Sequence, residues 1–336
     1  GTVSAPRDNA RSERVCGGVS AAIEKVDIFT GVKLISFEEG KKSGLIRIIG
    51  QEVDEAYMKV VLAERIRPNA IPDVADDFKV VYTPFHGTGR ILVPEVLKRA
   101  GLKHLFCVPE QMIPDGRFPT VKSPNPEDKA GFALAMKIAE ENGCDLLIGT
   151  DPDADRAGVI VRASNGEFVP LTGNQIGVML LSYIIEARKL ENKLPANAAA
   201  VKSIVSTKLA DKICEASGVA MINVLTGFKF IGEKIKEFEE TGSHTYIFGF
   251  EESYGYLSGT YARDKDAVCA SLLITEMAAF YRARGKSLYE VLCGIFEKYG
   301  FSSAGETKSG EALFVHALPA PENAKAVSPL RSMLPL

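Results

Sequence analysis

The order of hydrophobic and polar positions along the chain predicts an alternation of strands and helices. Short apolar runs bounded by Gly, Pro, Asn or Asp are typical of buried strands. Between them lie longer stretches in which apolar residues recur every third or fourth position, as in amphipathic helices. The predicted strands are 78–83, 103–108, 145–150, 157–161, 199–206, 219–224 and 245–248, and the predicted helices are 51–66, 93–100, 126–142, 175–189, 208–217, 231–239, 267–284 and 287–298, with a shorter one at 19–26.

Strands that alternate with helices through short connections indicate α/β units built on largely parallel sheets. In open sheets of this kind, ligands bind beyond the carboxyl ends of the strands. We therefore expect functional side chains in the loops that follow the predicted strands.

The strongest chemical signal is the loop Asp151–Arg156, which follows an apolar strand and has Asp at positions 151, 153 and 155. Carboxylates crowded this closely repel one another unless a cation joins them. Oxygen ligands alone favour a hard ion, Mg²⁺ or Mn²⁺. Arg156 adds a planar donor fork that suits phosphate.

Other interpretations of this loop are a solvated Asp-rich turn, an EF-hand and a phosphatase with an aspartyl nucleophile. An EF-hand beginning at Asp151 needs Gly at its sixth position and Glu at its twelfth. Those positions hold Arg156 and Arg162, which excludes it. The solvated turn and the phosphatase, which would use Asp151 and Asp153, remain open.

Further polar loops follow later predicted strands. Their side chains match two kinds of ligand: Glu251, Glu252 and Ser253 can hold sugar hydroxyls, and Thr226, Lys229, Arg263 and Lys265 can hold phosphate. The Gly-rich turn Thr83–Gly89 precedes a helix and can offer backbone N–H groups to phosphate. A dinucleotide-binding fingerprint is incomplete there because position 92 is Leu. His86 in this turn is as compatible with a structural role as with a catalytic one.

Composition narrows the class of protein. The 336 residues carry a net charge of −3, with 46% hydrophobic and 25% charged residues, which fits a soluble protein of about two domains. The near-neutral balance argues against a nucleic-acid-binding protein. No apolar run is long enough for a membrane span, and no secretory signal is visible. Six scattered cysteines without a CxxC pair indicate reduced thiols and a cytoplasmic location.

Several of these segments together resemble the α-D-phosphohexomutase superfamily, most closely the bacterial phosphoglucomutases. The resemblance covers roughly residues 19–300, and its specificity comes from several motifs in the right order. The matching segments are Thr83–Gly89 (TPFHGTG), Asp151–Arg156 (DPDADR), Thr172–Gly177 (TGNQIG), Thr226–Ile231 (TGFKFI), Gly249–Tyr256 (GFEESYGY) and Arg263–Ala267 (RDKDA).

The resemblance implies two consecutive three-layer α/β/α domains with mixed sheets, of the phosphohexomutase type. The implied segments are an irregular stretch at 1–18, a remnant of the family's first domain at 19–50, domain II with the metal loop at 51–162, domain III with the sugar-binding loop at 163–300, and an irregular tail at 301–336.

The implied activity is that of a phosphohexomutase, an intramolecular phosphotransferase and therefore an isomerase. Enzymes of this family interconvert hexose 1-phosphate and hexose 6-phosphate through a bisphosphorylated intermediate. The resemblance further implies Mg²⁺ as cofactor, glucose 1,6-bisphosphate as activator or intermediate, a hexose phosphate as substrate, no nucleic-acid or membrane partner, and a monomer or weak dimer. The implied roles are Mg²⁺ binding for Asp151, Asp153 and Asp155, catalysis for Arg156 and Lys265, and substrate binding for Thr226, Gly227, Lys229, Glu251, Ser253 and Arg263.

The sequence departs from the family in two motifs. The family's phosphoserine loop, Thr-Ala-Ser-His-Asn-Pro, and the Arg-x-Ser-Gly-Thr-Glu-Pro loop of its last domain have no match here. From this we expect a truncated and impaired mutase with a weak Mg²⁺ site and little or no turnover. The alternatives are a Mg²⁺-dependent sugar phosphatase with Asp151 as nucleophile and a non-catalytic module that binds sugar phosphates.

Overall fold

The computed structural model describes residues 17–27 and 29–300, so the predicted irregular ends lie almost entirely outside the described residues. The chain divides after Val60 into two compact units. In the first unit, helix α1 covers residues 17–23, where the sequence predicts a helix that extends to residue 26. Helix α2, Phe37–Lys42, begins with a capping box in which Ser36 and Glu39 bond each other's backbone N–H. Helix α3, Gln51–Ala63, contains the division point and is shorter at its carboxyl end than the predicted 51–66.

The second unit contains two sheets. In the first, the strand order is β2-β1-β3-β4-β5, with β1 parallel to β2 and β3, and with β4 antiparallel to both β3 and β5. Strands β1, β3 and β4 are buried along almost their whole length, so that both faces of the sheet are covered at its centre. The strands are β1 Lys79–Thr83, β2 His104–Cys107, β3 Leu146–Thr150, β4 Ala157–Arg162 and β5 Phe168–Leu171.

The second sheet has the order β7-β6-β8-β9. Strand β6 is parallel to β7 and β8, and the short strand β9 is antiparallel to β8. Both sheets are therefore mixed, as the family resemblance implies, whereas the strand–helix pattern alone indicates largely parallel sheets. The strands are β6 Ala198–Ser203, β7 Ala220–Val224, β8 Thr245–Phe250 and β9 Tyr256–Leu257.

Helices cover both faces of the sheets. Helix α6 packs on β1 and β3, α5 packs on β2, and α9 packs on β6 and β8, whereas α7 lies against β8 and α8 against β7. This arrangement confirms the predicted α/β fold class. The helices are α4 Ala70–Asp73, α5 Gly89–Arg99, α6 Ala133–Asn142, α7 Gly173–Leu190, α8 Leu209–Glu215, α9 Phe228–Thr241, α10 Ala267–Arg282 and α11 Leu288–Tyr299. Within the described part of the chain, none of the helices has the length and apolar character needed to cross a membrane.

Helix α10 is the central helix of the second unit. It packs against α4, α5 and α7 and also reaches β3, β4 and β9. All of its residues except Arg282 are buried, and its sequence is accordingly apolar apart from Ser271, Thr275 and Glu276. Asp266 caps its first turn by accepting the backbone N–H groups of Val268 and Cys269.

Three elements differ from the pattern-based prediction. The helix predicted to start at Pro126 begins at Ala133, after a 3₁₀ helix at Lys129–Phe132, because the Asp128 carboxylate accepts the Ala130 N–H and closes a tighter turn. The sequence pattern does not predict strand β5, which extends the first sheet beyond residue 162 and whose edge position tolerates Pro170. It also does not predict strand β9, which has only two residues.

A buried carboxylate in helix α10 links the helix to the chain entering α4. Glu276 is 0% exposed, and its Oε1 accepts hydrogen bonds from the Tyr183 hydroxyl (2.6 Å) and from the backbone N–H groups of Ile66 and Arg67 (3.0 and 3.1 Å). Among the described residues, Oε2 has no hydrogen-bond partner. Burial raises the pKa of Glu276 above its ordinary value of 4.5, although these hydrogen bonds oppose the shift.

We therefore predict that Glu276→Gln changes how stability depends on pH. Because the folded-state pKa of Glu276 is raised, its full contribution to stability is present below pH 4.5 and is lost as the pH rises through the raised pKa. Gln mimics the protonated side chain at every pH. Thermal unfolding should show the variant gaining stability relative to the parent as the pH increases above about 4.5. The exposed Glu297→Gln should show no such trend, and a pH-independent difference at Glu276 would contradict the prediction.

Candidate functional site

The loop between β3 and β4 turns tightly around the first of its three carboxylates. Asp151 Oδ1 accepts the backbone N–H groups of Asp155 and Arg156, at 3.1 and 2.9 Å. Ala154 has a φ of 60°, in the left-handed region that a non-glycine residue seldom adopts. This turn brings the three side chains to one place: one carboxylate oxygen from each of Asp151, Asp153 and Asp155 lies within 4.8 Å of the others.

The electrostatics of the loop favour a bound cation. Asp151 is largely buried, and burial together with the charges of Asp155 and Asp153 raises its pKa to about 7, against the hydrogen bond from the Arg156 backbone N–H. Among the described residues, the buried Asp155 Oδ1 has no hydrogen-bond partner. Hard carboxylate oxygens and an unpartnered buried acceptor fit Mg²⁺, which would take up ligands from all three residues.

Two cationic side chains lie beside the carboxylates. Lys265 Nζ is 2.7 Å from Asp155 Oδ2 and 3.2 Å from Asp264 Oδ1. Burial opposes the charge on Lys265, but its hydrogen bonds and ion pairs with Asp155 and Asp264 raise its pKa above the ordinary value. Arg156 Nε lies 3.7 Å from Asp155 Oδ1 and 3.9 Å from Asp151 Oδ2. Both cations therefore lie where a phosphate group next to the acidic loop would contact them.

The Gly-rich turn after β1 packs directly on the acidic loop. Thr88 donates to the Pro152 carbonyl through both its N–H (2.8 Å) and its hydroxyl (3.0 Å). A Cβ on Gly87 would stand 2.6 Å from the Pro152 carbonyl oxygen, so only glycine permits this approach. Phe85 and His86 both have positive φ, at 44° and 66°, which is the kind of local strain that clusters at functional sites.

His86 has a structural role in this turn. Its Nδ1 lies 2.8 Å from the Ile113 carbonyl and its Nε2 lies 2.9 Å from the Thr120 hydroxyl, so that both ring nitrogens are occupied. The buried Gln111 side chain donates to Thr120 as well and accepts from the Thr83 hydroxyl. These bonds fasten the long loop after β2 to the end of β1.

The loop after β8, Glu251–Tyr256, is joined to the acidic loop through backbone groups. The Ala157 N–H donates to the Tyr254 carbonyl at 3.1 Å, and Arg156 and Gly255 form an isolated antiparallel bridge. A third bond runs from the Ala267 N–H, at the start of α10, to the Ala154 carbonyl at 3.1 Å. The ends of the two sheets thus meet at one site.

Glu251 connects this loop to the start of α9. It is 5% exposed, and its Oε1 accepts the Gly227 N–H at 2.7 Å. Burial raises the pKa of Glu251, with the charge of Glu252 adding to the shift and the Gly227 N–H opposing it. Gly227 has a φ of 118°, which only glycine adopts without strain. The Glu251 carboxylate therefore keeps the turn before α9 in position.

The predicted site residues fall into two groups. In one group, Asp151, Asp153 and Asp155 lie together with Arg156 and Lys265 beside them. In the other, Glu251 is paired with Gly227. Ser253 is half-buried in the same loop as Glu251, while Thr226 and Lys229 are exposed beside Gly227.

Arg263 is directed elsewhere. Its guanidinium donates to the Glu239 carboxylate on α9 and to the Thr260 carbonyl. Its role in substrate binding stays a prediction.

Two models of one known protein family match consecutive parts of this chain. The model described as "Phosphoglucomutase/phosphomannomutase, alpha/beta/alpha domain II" matches residues 55–166, and the model for domain III of the same family matches residues 172–299. A phosphoglucomutase from Staphylococcus aureus (strain MRSA252) is 38% identical over 252 residues, which cover 75% of this chain and 43% of that protein. The chain thus spans less than half the length of this relative.

Solved structures share the fold. A Thermus thermophilus protein described as a phosphomannomutase superposes with a TM-score of 0.58 at 24% identity, covering 74% of this chain and 51% of its own. An Aspergillus fumigatus N-acetylphosphoglucosamine mutase, solved with glucose 1,6-bisphosphate, gives a TM-score of 0.51 at 15% identity, covering 73% and 50%. These likenesses confirm that the architecture is of the phosphohexomutase type.

The geometry of the acidic loop predicts that Asp153→Asn weakens Mg²⁺ binding. Replacing the Asp153 carboxylate with a neutral amide removes a charged ligand while keeping the shape of the side chain. We expect the affinity measured by calorimetry to fall at least about tenfold. Asp76→Asn is the matched control, because Asp76 is exposed and pairs with Lys103 away from this loop. Equal isotherms for Asp153→Asn and the parent would contradict the metal assignment.

We also predict that Gly87→Ala loosens the packing of the two loops. The added Cβ would meet the Pro152 backbone, which can yield only by moving the acidic loop. The free energy of unfolding measured in urea should fall by about 1–3 kcal/mol, and Mg²⁺ affinity should fall with it. Gly294→Ala is the control, because a Cβ there meets open space within α11. A stable Gly87→Ala variant with parental Mg²⁺ affinity would contradict this prediction.

Proposed function

This chain belongs to the phosphoglucomutase/phosphomannomutase family, and we propose that it binds a hexose phosphate together with Mg²⁺ in a phosphohexomutase centre. The proposed reaction moves a phosphoryl group between hexose 1-phosphate and hexose 6-phosphate through a bisphosphorylated intermediate. One observation carries the proposal: the acidic loop with its two cations is joined by backbone hydrogen bonds to the loop that contains Glu251.

The acidic loop and its neighbouring cations would neutralise the negative charge of a phosphoryl group. Asp151, Asp153 and Asp155 would hold Mg²⁺, which when bound neutralises negative charge on phosphoryl oxygens. Lys265 is half-buried and held by Asp155, so its ammonium group is already positioned. Phosphoryl transfer depends mainly on positioning and on electrostatic stabilisation. The carboxylates, the bound Mg²⁺ and Lys265 would provide both without forming covalent bonds to the substrate.

The loop after β8 supplies the means to orient a sugar. Glu251 uses Oε1 to accept the Gly227 N–H, which leaves Oε2 as an acceptor for a sugar hydroxyl. Ser253 follows two positions later with a half-buried hydroxyl. The turn at Thr226–Gly227 opens α9, whose first N–H groups and neighbouring Lys229 suit a phosphate. A grip on hydroxyls at one end and phosphate at the other suits a phosphorylated hexose.

The geometry favours this proposal over a sugar phosphatase that uses Asp151 as nucleophile. Asp151 Oδ1 accepts two backbone N–H groups, so this oxygen is engaged in forming the turn. A covalent nucleophile needs an ionised oxygen that is free to attack. The bonding of Asp151 supports the role of a residue that shapes the loop and holds a cation.

The proposal predicts that residues 1–336 bind glucose 1,6-bisphosphate in calorimetry more tightly with Mg²⁺ present than without it. Asp153→Asn should remove the gain from Mg²⁺, whereas Asp76→Asn should keep it. No binding of the bisphosphate under either condition would overturn the proposal.

One assay distinguishes the candidate reactions. The protein is given glucose 1-phosphate, a catalytic amount of glucose 1,6-bisphosphate and Mg²⁺, and the formation of glucose 6-phosphate and of inorganic phosphate is measured. Glucose 6-phosphate supports the mutase, and the expectation of slow turnover from this sequence is tested by the same rate. Release of inorganic phosphate by the parent, and its loss in the Asp151→Asn variant, would instead favour the phosphatase. Binding of the bisphosphate without either product would favour the non-catalytic module.

A further inference from the structure

Glu252 lies between the two predicted sugar-binding residues, but its side chain has buried partners of its own. Its Oε2 accepts the Ser203 hydroxyl at 2.7 Å and the Ser206 hydroxyl at 3.2 Å. The two hydroxyl oxygens also lie 2.7 Å from each other. Ser203 ends β6 and Ser206 lies in the loop that follows it, so these bonds tie the loop after β8 to its neighbour in the sheet.

The two serines that bind Glu252 are themselves buried and held by neighbouring residues. Ser203 and Ser206 are buried, at 0% and 3% exposed. Lys202, at 2% exposed, donates to the Ser206 carbonyl at 3.3 Å and pairs with Asp211 at 3.1 Å. The two serines therefore present their hydroxyls from a rigid part of the sheet, and they lose a charged acceptor if Glu252 turns away.

The backbone of Glu252 is confined as well. A Cβ on Gly173, the first residue of α7, would overlap the Glu252 carbonyl oxygen and lie 2.8 Å from the Tyr254 nitrogen. The Tyr256 hydroxyl donates to the Gly173 carbonyl at 3.2 Å. The loop thus rests on the start of α7 with its main chain while the Glu252 side chain reaches the serines.

We propose that Glu252 is a positioning residue whose carboxylate fastens the loop Glu251–Tyr256 to the buried hydroxyls of Ser203 and Ser206. This inference rests on the proposed function, because the loop so held presents Glu251 and Ser253 to a hexose phosphate. Glu252 acts through its neighbours and not by touching the sugar: turning its carboxylate toward a ligand would leave two buried hydroxyls without this acceptor.

The loop held by Glu252 can be followed in the ligand-free chain by hydrogen exchange with mass spectrometry. Three amides report on it: Gly227 donates to Glu251, Glu251 donates to Gly255, and Ala157 donates to Tyr254. We expect Glu252→Leu to raise exchange in peptides covering these amides roughly tenfold, the scale of one lost hydrogen bond, with little change in α10. Unchanged exchange would overturn the proposal.

A double-mutant cycle separates positioning from direct contact. If Glu252 acts through the serines, then Glu252→Leu and the pair Ser203→Ala/Ser206→Ala should each speed exchange, and their combination should add little more. Glu252→Gln keeps an oxygen acceptor and should rescue most of the protection. Additive effects, or no rescue by Gln, would overturn the proposal. The exposed Glu240→Leu, on α9, is the matched control and should behave as the parent.

Ligand binding then tests the link to the site. Glu252→Leu and Ser203→Ala/Ser206→Ala should weaken glucose 1,6-bisphosphate on the scale of the roughly 10- to 100-fold losses seen when outer partners of metal ligands are removed. Mg²⁺ binding without sugar should stay within about threefold of the parent, because the acidic loop keeps its own bonds. Faster exchange with parental affinity for the bisphosphate would overturn the positioning role. A parent that binds no bisphosphate contradicts the proposed function, and the exchange cycle still decides whether Glu252 holds the loop.

Discussion

The mutual repulsion of three carboxylates in one short loop is the constraint on which the site depends. Asp151, Asp153 and Asp155 cannot all remain ionised so close together without compensation, and burial of Asp151 makes the demand larger. Two interactions compensate this charge: two backbone N–H groups donate to Asp151, and Lys265 forms an ion pair with Asp155. A cation can add to this compensation, since Asp155 Oδ1 lacks a hydrogen-bond partner among the described residues.

This compensation works only because segments distant in sequence approach one another closely. Gly87 lets the turn after β1 rest on Pro152, Gly173 lets α7 begin against Glu252, and Gly255 leaves room for the Lys265 side chain, whose Cδ would lie 2.6 Å from an added Cβ. Each is a close approach that depends on the absence of a side chain. The helix that carries this arrangement, α10, begins at the site and is buried along almost its whole length, so the loops rest on the core of the unit.

The sequence predicts the parts of the fold in which local signals agree with tertiary demands. The apolar strands and the alternate carboxylates of Asp151–Arg156 are recognisable because few other structures suit those patterns. Strand β5 escapes prediction because Pro170 is compatible with a strand only at an edge, and edges are set by the sheet. The pairing of Arg263 with Glu239 and of Glu252 with two serines is equally invisible in sequence, because a charged residue in a loop has the same local pattern whichever partner it meets.

The joints between the two sheets are made by peptide groups: Ala157 with Tyr254, Arg156 with Gly255, and Ala267 with Ala154. Apart from Gly255, where an added Cβ would meet Lys265, such a joint depends little on side-chain identity, since proline alone removes the donor. The frame of the site and the chemistry displayed on it can therefore change independently in evolution. Substitutions at exposed positions such as Thr226 and Lys229 leave the backbone bonds between the acidic loop and the loop of Glu251 in place.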